Sequence, residues 1–375
     1  MVTARETPRV AELSAALSRC GHDVSLFTRR TDPDFAERIQ TPQGYKVFHV
    51  NAGLPESSLS DDDLLKSMGP FAEYLDEAWS TERPDVAHAQ CWMTGIASQL
   101  VTRRLGLSAV QTFQGLGMVS EEQFQLEATV ARTANWVAAT CTDDIFRLMQ
   151  MGRPRGSVSV VPCGVDENLF TPQGPRAEKS AMYRIVSVGR LLPRKGFDDI
   201  VRAMPKIPHA ELVIIGGSES PDLNADSEAC RLRDLADELG VARRVHLYGA
   251  VPRDKLPALL RSADVVACNP WRETSGTVAL EAMACGVPVV ASAVGAMLDT
   301  VVHDVTGRLV PPRDPAKMAY AINILLRDSF LRKSLGAAGR DRARTRYSWD
   351  RIAVDMLRIY ERVGRMRNAR MTTSA

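Results

Sequence analysis

Glu273-Thr274-Ser275-Gly276-Thr277-Val278-Ala279-Leu280-Glu281-Ala282-Met283-Ala284-Cys285-Gly286-Val287-Pro288-Val289-Val290-Ala291 decides how this chain folds. Residues 278–285 are apolar at nearly every place and rich in strong helix formers, so they read as a helix buried on most of its surface. Gly286 ends that helix. Residues 288–291 form a short apolar run opened by a proline, the pattern of a strand covered on both faces. A second such run, 265–268, precedes the quoted stretch. Strand, loop, helix and strand in this order make one unit of a parallel sheet.

The alternation continues outward in both directions. In the same half, strands are predicted at 184–188, 211–215 and 244–248, with helices at 197–204, 228–239 and 253–262. Helices near 315–326, 329–345 and 348–363 close the chain. Toward the N-terminus, strands are predicted at 23–28, 45–50, 85–89, 108–113, 136–140 and 158–161. Helices alternate with them at 10–19, 64–80, 95–105, 121–133 and 142–151. Residues 162–166 and 172–175, rich in proline and glycine, break the pattern and form the predicted linker. The expectation is an α/β chain of two Rossmann-like halves facing across a cleft, a place where ligands bind. One piece is missing. A half of this type normally opens with a central strand and a glycine-rich turn, whereas this chain opens on a helix. Losing that strand leaves two neighbours without hydrogen-bond partners. Either the given start lies downstream of the first strand, or this half is built without it.

Composition narrows the function classes. A hydrophobic share of 45% against 25% charged residues is that of an ordinary globular chain. With 47 Lys and Arg against 45 Asp and Glu, the net charge of +2 gives no basis for a nucleic-acid partner. The stretch from Arg340 to Arg370 is rich in arginine and reads as a solvated helix and tail. Its alternative is peripheral contact with an anionic membrane surface. No run approaches the ~18 apolar residues of a spanning helix, and residues 1–10 lack the apolar core of a signal peptide. The seven cysteines form no C-x-x-C pair and no zinc-spaced cluster, which suits reduced thiols in a cytoplasm.

Two stretches carry chemistry. Val188-Gly189-Arg190-Leu191-Leu192-Pro193-Arg194-Lys195-Gly196 is a strand, a turn with two glycines, and cations before a helix start. That combination suits a diphosphate: Arg190 offers a bidentate fork and Lys195 a compact point charge. In the quoted stretch, Glu273 and Glu281 flank Gly276, which precedes a helix. The N–H groups of Gly276, Thr277 and Val278 are expected to face a phosphate, Glu281 ribose hydroxyls, and Glu273 hydroxyls of a donor sugar. Asp61-Asp62-Asp63 imitates a metal-binding triplet but is expected to cap the helix starting near Leu64. No metal site is assigned.

With these motifs in order, residues 184–315 resemble the retaining GT-B transferases of glycosyltransferase family 4. The resemblance rests on Gly189–Gly196, on residues 280–291, on Gly295 to Val301 and on Thr306 to Asp314. It extends to residues 85–95 and 158–166, which are similar to the subgroup of mycothiol-pathway and sucrose-phosphate-synthase-like enzymes. The resemblance implies an N-terminal acceptor-side domain at 1–165, completed by the last helix at 346–365, and a nucleotide-sugar-binding domain at 175–345. It implies that Arg190 and Lys195 bind the diphosphate and Glu281 the ribose. Glu273 and the amides of Gly276, Thr277 and Val278 touch sugar and phosphate, and the base lies near Val251. The implied reaction moves a sugar from a nucleoside-diphosphate sugar, taken as uridine-linked, to a hydroxyl of a small-molecule or envelope acceptor. The setting implied is a bacterial natural-product or cell-envelope pathway with an aminocyclitol-type acceptor. Configuration is retained, and the departing phosphate itself deprotonates the acceptor. No metal and no other cofactor is implied, since the cations and the helix start offset the leaving-group charge.

Besides the absent glycine-rich turn, this chain departs from the family at two places. Family members often carry histidines where it reads Gln111 to Gly117, so Gln114 stands beside the reacting sugar with hydrogen bonds but no proton to take. His88 is the remaining histidine near the cleft; the plainer reading makes it a strand-end residue satisfied by backbone. Ser275 stands where an aromatic is frequent. The catalytic candidates are therefore Glu273, His88 and Gln114. A rival reading is a donor-binding partner protein without turnover. A dinucleotide oxidoreductase would need G-x-G-x-x-G after an N-terminal strand, and the sequence has none.

Overall fold

The structure is a computed structural model that describes residues 8–56, 59–117, 120–217 and 223–373, with side chains to residue 366. It divides into two compact units, one running to Cys163 and resuming at Trp349, the other spanning Gly164–Ser348.

The first unit runs α1 (Pro8–Arg19), β1 (Ser25–Arg29), β2 (Arg38–Gln40), β3 (Lys46–Val50), α2 (Asp61–Lys66) and α3 (Met68–Thr81). It continues with β4 (Val86–Ala89), α4 (Trp92–Leu105), β5 (Ser108–Gln111), α5 (Glu121–Thr133), β6 (Trp136–Ala139), α6 (Thr142–Gln150) and β7 (Val158–Val160). Its strands form two separate sheets. In one, β3 lies between β1, which is parallel to it, and the antiparallel β2. In the other, β4-β5-β6-β7 are all parallel. Among the described residues β1 pairs only with β3, and β4 only with β5. Each therefore has one unpaired edge. Buried side-chain atoms on or beside those two strands, Thr28 Oγ1, Arg29 Nε and Gln90 Oε1, have no hydrogen-bond partner among the described residues. The C-terminal helix, Trp349–Thr373, belongs to this unit. Its Ile352, Ala353, Met356 and Ile359 bury against Leu13, Ala16 and Leu17 of α1 and against Val110 and Trp136 of the parallel sheet.

The second unit runs β8 (Tyr183–Val188), α7 (Phe197–Ala203), β9 (Ala210–Ile215), α8 (Ser227–Glu238), β10 (Val245–Leu247), α9 (Leu256–Ser262) and β11 (Val265–Cys268). It closes with α10 (Thr277–Ala284), β12 (Val289–Ser292), α11 (Ala296–Thr300), β13 (Gly307–Val310), α12 (Pro315–Arg327) and α13 (Ser329–Tyr347). The six strands are all parallel in the order β10-β9-β8-β11-β12-β13. Apolar clusters cover both faces, one around Ile185, Leu212 and Leu232, the other around Val186, Val266 and Leu280. That double burial explains why these strands are apolar throughout instead of alternating. Strand order reverses between β8 and β11, so the loops leaving these two strands diverge and open a crevice at their C-terminal ends. Both units are Rossmann-like α/β layers, the GT-B composition.

The structure corrects the sequence reading at several points. Residues 64–80 are not one helix. They form α2 and α3, with α2 starting at Asp61 because Ser60 Oγ accepts the Asp63 N–H at 3.2 Å. Asp61, Asp62 and Asp63 therefore occupy the first turn, where negative charge is favoured, and Ser60 is the cap. Strands β2 and β13 and helix α11 were not predicted. They are three to five residues long, too short for periodicity to show.

Candidate functional site

The site grows from the point where strand order reverses. After β8 the chain makes a tight turn, Pro193–Lys195, and Gly196 takes φ +66°. A Cβ at Gly196 would lie 1.9 Å from the carbonyl oxygen of Asn269, just past β11. Only glycine permits that backbone approach. The Trp271 N–H donates to Arg194 O at 2.9 Å, which stitches the two loops together. Seated this way, Lys195 Nζ lies 2.9 Å from Glu273 Oε2.

Glu273 is held from every side. Its Oε1 accepts the Ser275 N–H at 3.0 Å, the Ser275 Oγ–H at 2.8 Å and the Gly276 N–H at 3.4 Å. Its carbonyl accepts the Ala296 N–H at 2.9 Å. Gly295, at φ +47°, leaves room for that carbonyl, since a Cβ there would come within 2.0 Å of it. Burial by itself raises the Glu273 carboxyl, but the Lys195 ammonium and the Ser275 donors outweigh it and hold it below its usual range. Glu273 is thus a carboxylate, rigid and ionised.

Gly276, at φ +64°, turns the chain into α10, which carries Glu281 on its second turn. Glu281 is 3% exposed and accepts from Arg253 Nη1 at 2.7 Å. Here burial outweighs the arginine and the carboxyl is raised. The Arg253 guanidinium also lies over the Phe170 ring, 5.0 Å from its centre. Arg253 escaped the sequence reading. A buried glutamate in an apolar helix needs a cation, and that need was the available signal.

All the donor-side residues named from sequence fall in the second unit. Arg190 is exposed and makes no hydrogen bond or ion pair among the described residues. Lys195 is engaged with Glu273. Val251, in the loop after β10, packs against the apolar cluster that includes Phe170 and Leu256. Thr277 and Val278 open α10, while the Gly276 N–H points to Glu273.

His88 and Gln114 fall in the first unit, near the C-terminal ends of the neighbouring strands β4 and β5. Gln114 is exposed. His88 is half-buried, with Nδ1 at 2.7 Å from Tyr360 Oη on the C-terminal helix and Nε2 at 2.9 Å from Thr112 Oγ1. Burial and the nearby Arg9 guanidinium push its imidazole down to about 3, so the ring is neutral. Both ring nitrogens already serve the fold, but through the Tyr360 and Thr112 hydroxyls and not through the backbone that the plainer reading expected. Among the described residues no three His, Cys, Asp or Glu side chains converge as a metal would need. No helix there is long and apolar enough to cross a membrane. All seven cysteines are free thiols.

Residues 173–342 match the model of the glycosyl transferases group 1 and residues 7–164 that of the glycosyl transferase 4-like domain. A D-inositol 3-phosphate glycosyltransferase of Xylanimonas cellulosilytica is 34% identical, over 96% of this chain and 92% of that protein. One from Jonesia denitrificans is 32% identical, over 94% and 90%. Among solved structures, a sucrose-phosphate synthase of Thermosynechococcus elongatus superimposes with a TM-score of 0.83 at 28% identity, covering 94% of this chain and 92% of that one.

Proposed function

Because this chain belongs to the glycosyl transferases group 1 family and is a glycosyltransferase of nucleotide-sugar donors, we propose that it moves a sugar from a uridine diphosphate sugar to a hydroxyl of a small polar acceptor, with retention at the anomeric carbon. The observation that carries the donor assignment is the Lys195–Glu273 pair at the strand-order reversal, a cation and an ionised carboxylate 2.9 Å apart. In this reading the diphosphate takes Lys195 and Arg190 and lies toward the start of α10. Lys195 turns from Glu273 to phosphate, and Glu273 accepts from hydroxyls of the sugar. Glu281 accepts from ribose hydroxyls, with the base beside Val251. These cations offset the charge of the leaving diphosphate, so no metal or other cofactor enters the scheme.

The departing phosphate takes the acceptor proton, so Gln114 serves by hydrogen bonding alone. Retention is supported by the family resemblance. The relatives' name, D-inositol 3-phosphate glycosyltransferase, supports a phosphorylated cyclitol as acceptor. The test is a panel of UDP, GDP and ADP sugars screened by melting shift and transfer assay, with Glu281→Ala as control. Stabilisation of about 2.7 kcal/mol is expected at a hundredfold excess over Kd. Transfer unchanged in Glu281→Ala sinks the site assignment. A second reading, a donor-binding protein without turnover, is favoured by the unpaired edges of β1 and β4. Donor binding with neither transfer nor donor hydrolysis would establish it.

A further inference from the structure

We propose that Asn269 is a positioning residue of the donor site, the node that fixes the Lys195 loop and the Glu273 loop against each other. This rests on the donor-site reading above.

Three loops leave the C-terminal ends of β8, β11 and β12, and Asn269 touches all three. It follows β11 and is 2% exposed. Its side-chain N–H₂ donates to Asp199 Oδ2 at 2.9 Å and faces the Gly196 carbonyl at 3.5 Å. Asp199 lies in the first turn of α7, and Gly196 directly follows Lys195. Its side-chain oxygen accepts the hydroxyl of Ser292, the last residue of β12. The chain from Ser292 leads to Gly295 and Ala296, which clasp the Glu273 carbonyl. One amide thus ties what stands behind Lys195 to what stands behind Glu273. Asp199 and Ser292 are 7% and 0% exposed, so neither has water to replace a lost partner.

The donor and acceptor directions are set by chemistry. Burial and the neighbouring Asp198 push the Asp199 carboxyl up, while the Asn269 amide, Arg202 and Arg313 draw it down. Asp198 in turn has Arg231 at 3.9 Å. An amide suits this place because it gives a proton to the carboxylate and takes one from the serine at once. A carboxylate at 269 has the same shape but only accepts, so it would stand against Asp199 with no proton between them.

The test is UDP affinity by calorimetry, with kcat and KM for the donor, on the full chain. Asn269→Ala is expected to weaken UDP binding at least tenfold and to lower kcat as well, with its circular dichroism spectrum retained. Asn269→Asp is expected to bind UDP nearly as wild type at pH 5, where one proton bridges the two carboxylates. It should fall behind wild type by tenfold or more at pH 8. Adding Asp199→Asn to Asn269→Asp restores one donor facing one acceptor and is expected to recover the affinity at pH 8. A merely structural role would move the melting temperature with pH and with the swap but leave the UDP affinity of the folded protein unchanged. Should Asn269→Ala fail to fold, Ser292→Ala and the swapped pair decide. The inference is overturned if Asn269→Ala binds UDP as tightly as wild type, or if the swap leaves the pH 8 defect in place. Wild-type protein that binds no nucleoside diphosphate overturns the donor-site reading, and this inference with it.

Discussion

Arg253 donates to Glu281 across 2.7 Å, on the second turn of a helix that otherwise buries apolar side chains. The pair sets the charge of the carboxylate assigned to the ribose. Burial raises the Glu281 carboxyl, and Arg253 opposes that rise. Donor affinity is therefore expected to fall as pH drops through the raised value, because the protonated acid gives up acceptor capacity. Arg253→Gln removes the opposing charge and moves this fall to higher pH, read as UDP affinity between pH 5 and 8. The stability sign is fixed too. A carboxyl whose folded value lies above the unfolded one favours the native state below the unfolded value and loses that advantage as pH rises through the folded one. Glu281→Gln should remove that dependence.

Glu273 runs the other way. The Glu273 carboxyl is held low, so its contribution is present above the unfolded value of 4.5 and is lost as pH falls through the folded one. Lys195→Ala is expected to cost about 100-fold in kcat/KM, since Arg190 is then left to oppose the diphosphate charge alone. A double-mutant cycle with Glu273→Gln should be non-additive, because the two side chains touch. Additive losses would mean that they act separately.

Gly295→Ala tests the seat of Glu273. The residue would carry φ +47° and a Cβ within 2.0 Å of the Glu273 carbonyl. The expected cost is about 1–3 kcal/mol of stability together with a lost donor response in a melting shift. Gly364→Ala, on the C-terminal helix with open space around it, should be neutral or slightly stabilising.

His88 makes the structure acid-sensitive. Its imidazole sits at about 3 in the folded chain against 6.5 when free. Below pH 6.5 the unfolded chain binds a proton that the native one refuses. Stability should then drop by up to roughly 1.4 kcal/mol per pH unit. His88→Gln keeps a hydrogen-bonding side chain between Tyr360 and Thr112 and should flatten this slope, measured by urea unfolding at pH 5 and 7.

Much of this was legible beforehand, for physical reasons. Wholly apolar runs such as those of β11 and β12 and periodic helices such as α5 announce themselves, because burial on given faces dictates the residues. Glu273 and Glu281 stood out because they lie eight positions apart around Gly276, just before a helix. Their counter-ions did not: Arg253 lies 28 residues from Glu281, and no local rule joins them. Asn269 was silent for the same reason, since a lone amide after a strand reads as a turn former until its partners at 196, 199 and 292 are in place. His88 showed its element but not its engagement, because Tyr360 reaches it from 272 residues away.

The reversal of strand order has a consequence in time. Lys195 and Glu273 are separated by 78 residues of chain, with β9 and β10 filling the edge between them. The ribosome must release the chain past Glu273 before β11 can dock on β8 and bring the two together, and closing so long a loop is slow relative to local helix formation. A nascent chain halted before β11 thus holds a cation without its carboxylate, and no nucleotide can serve as a template for its folding.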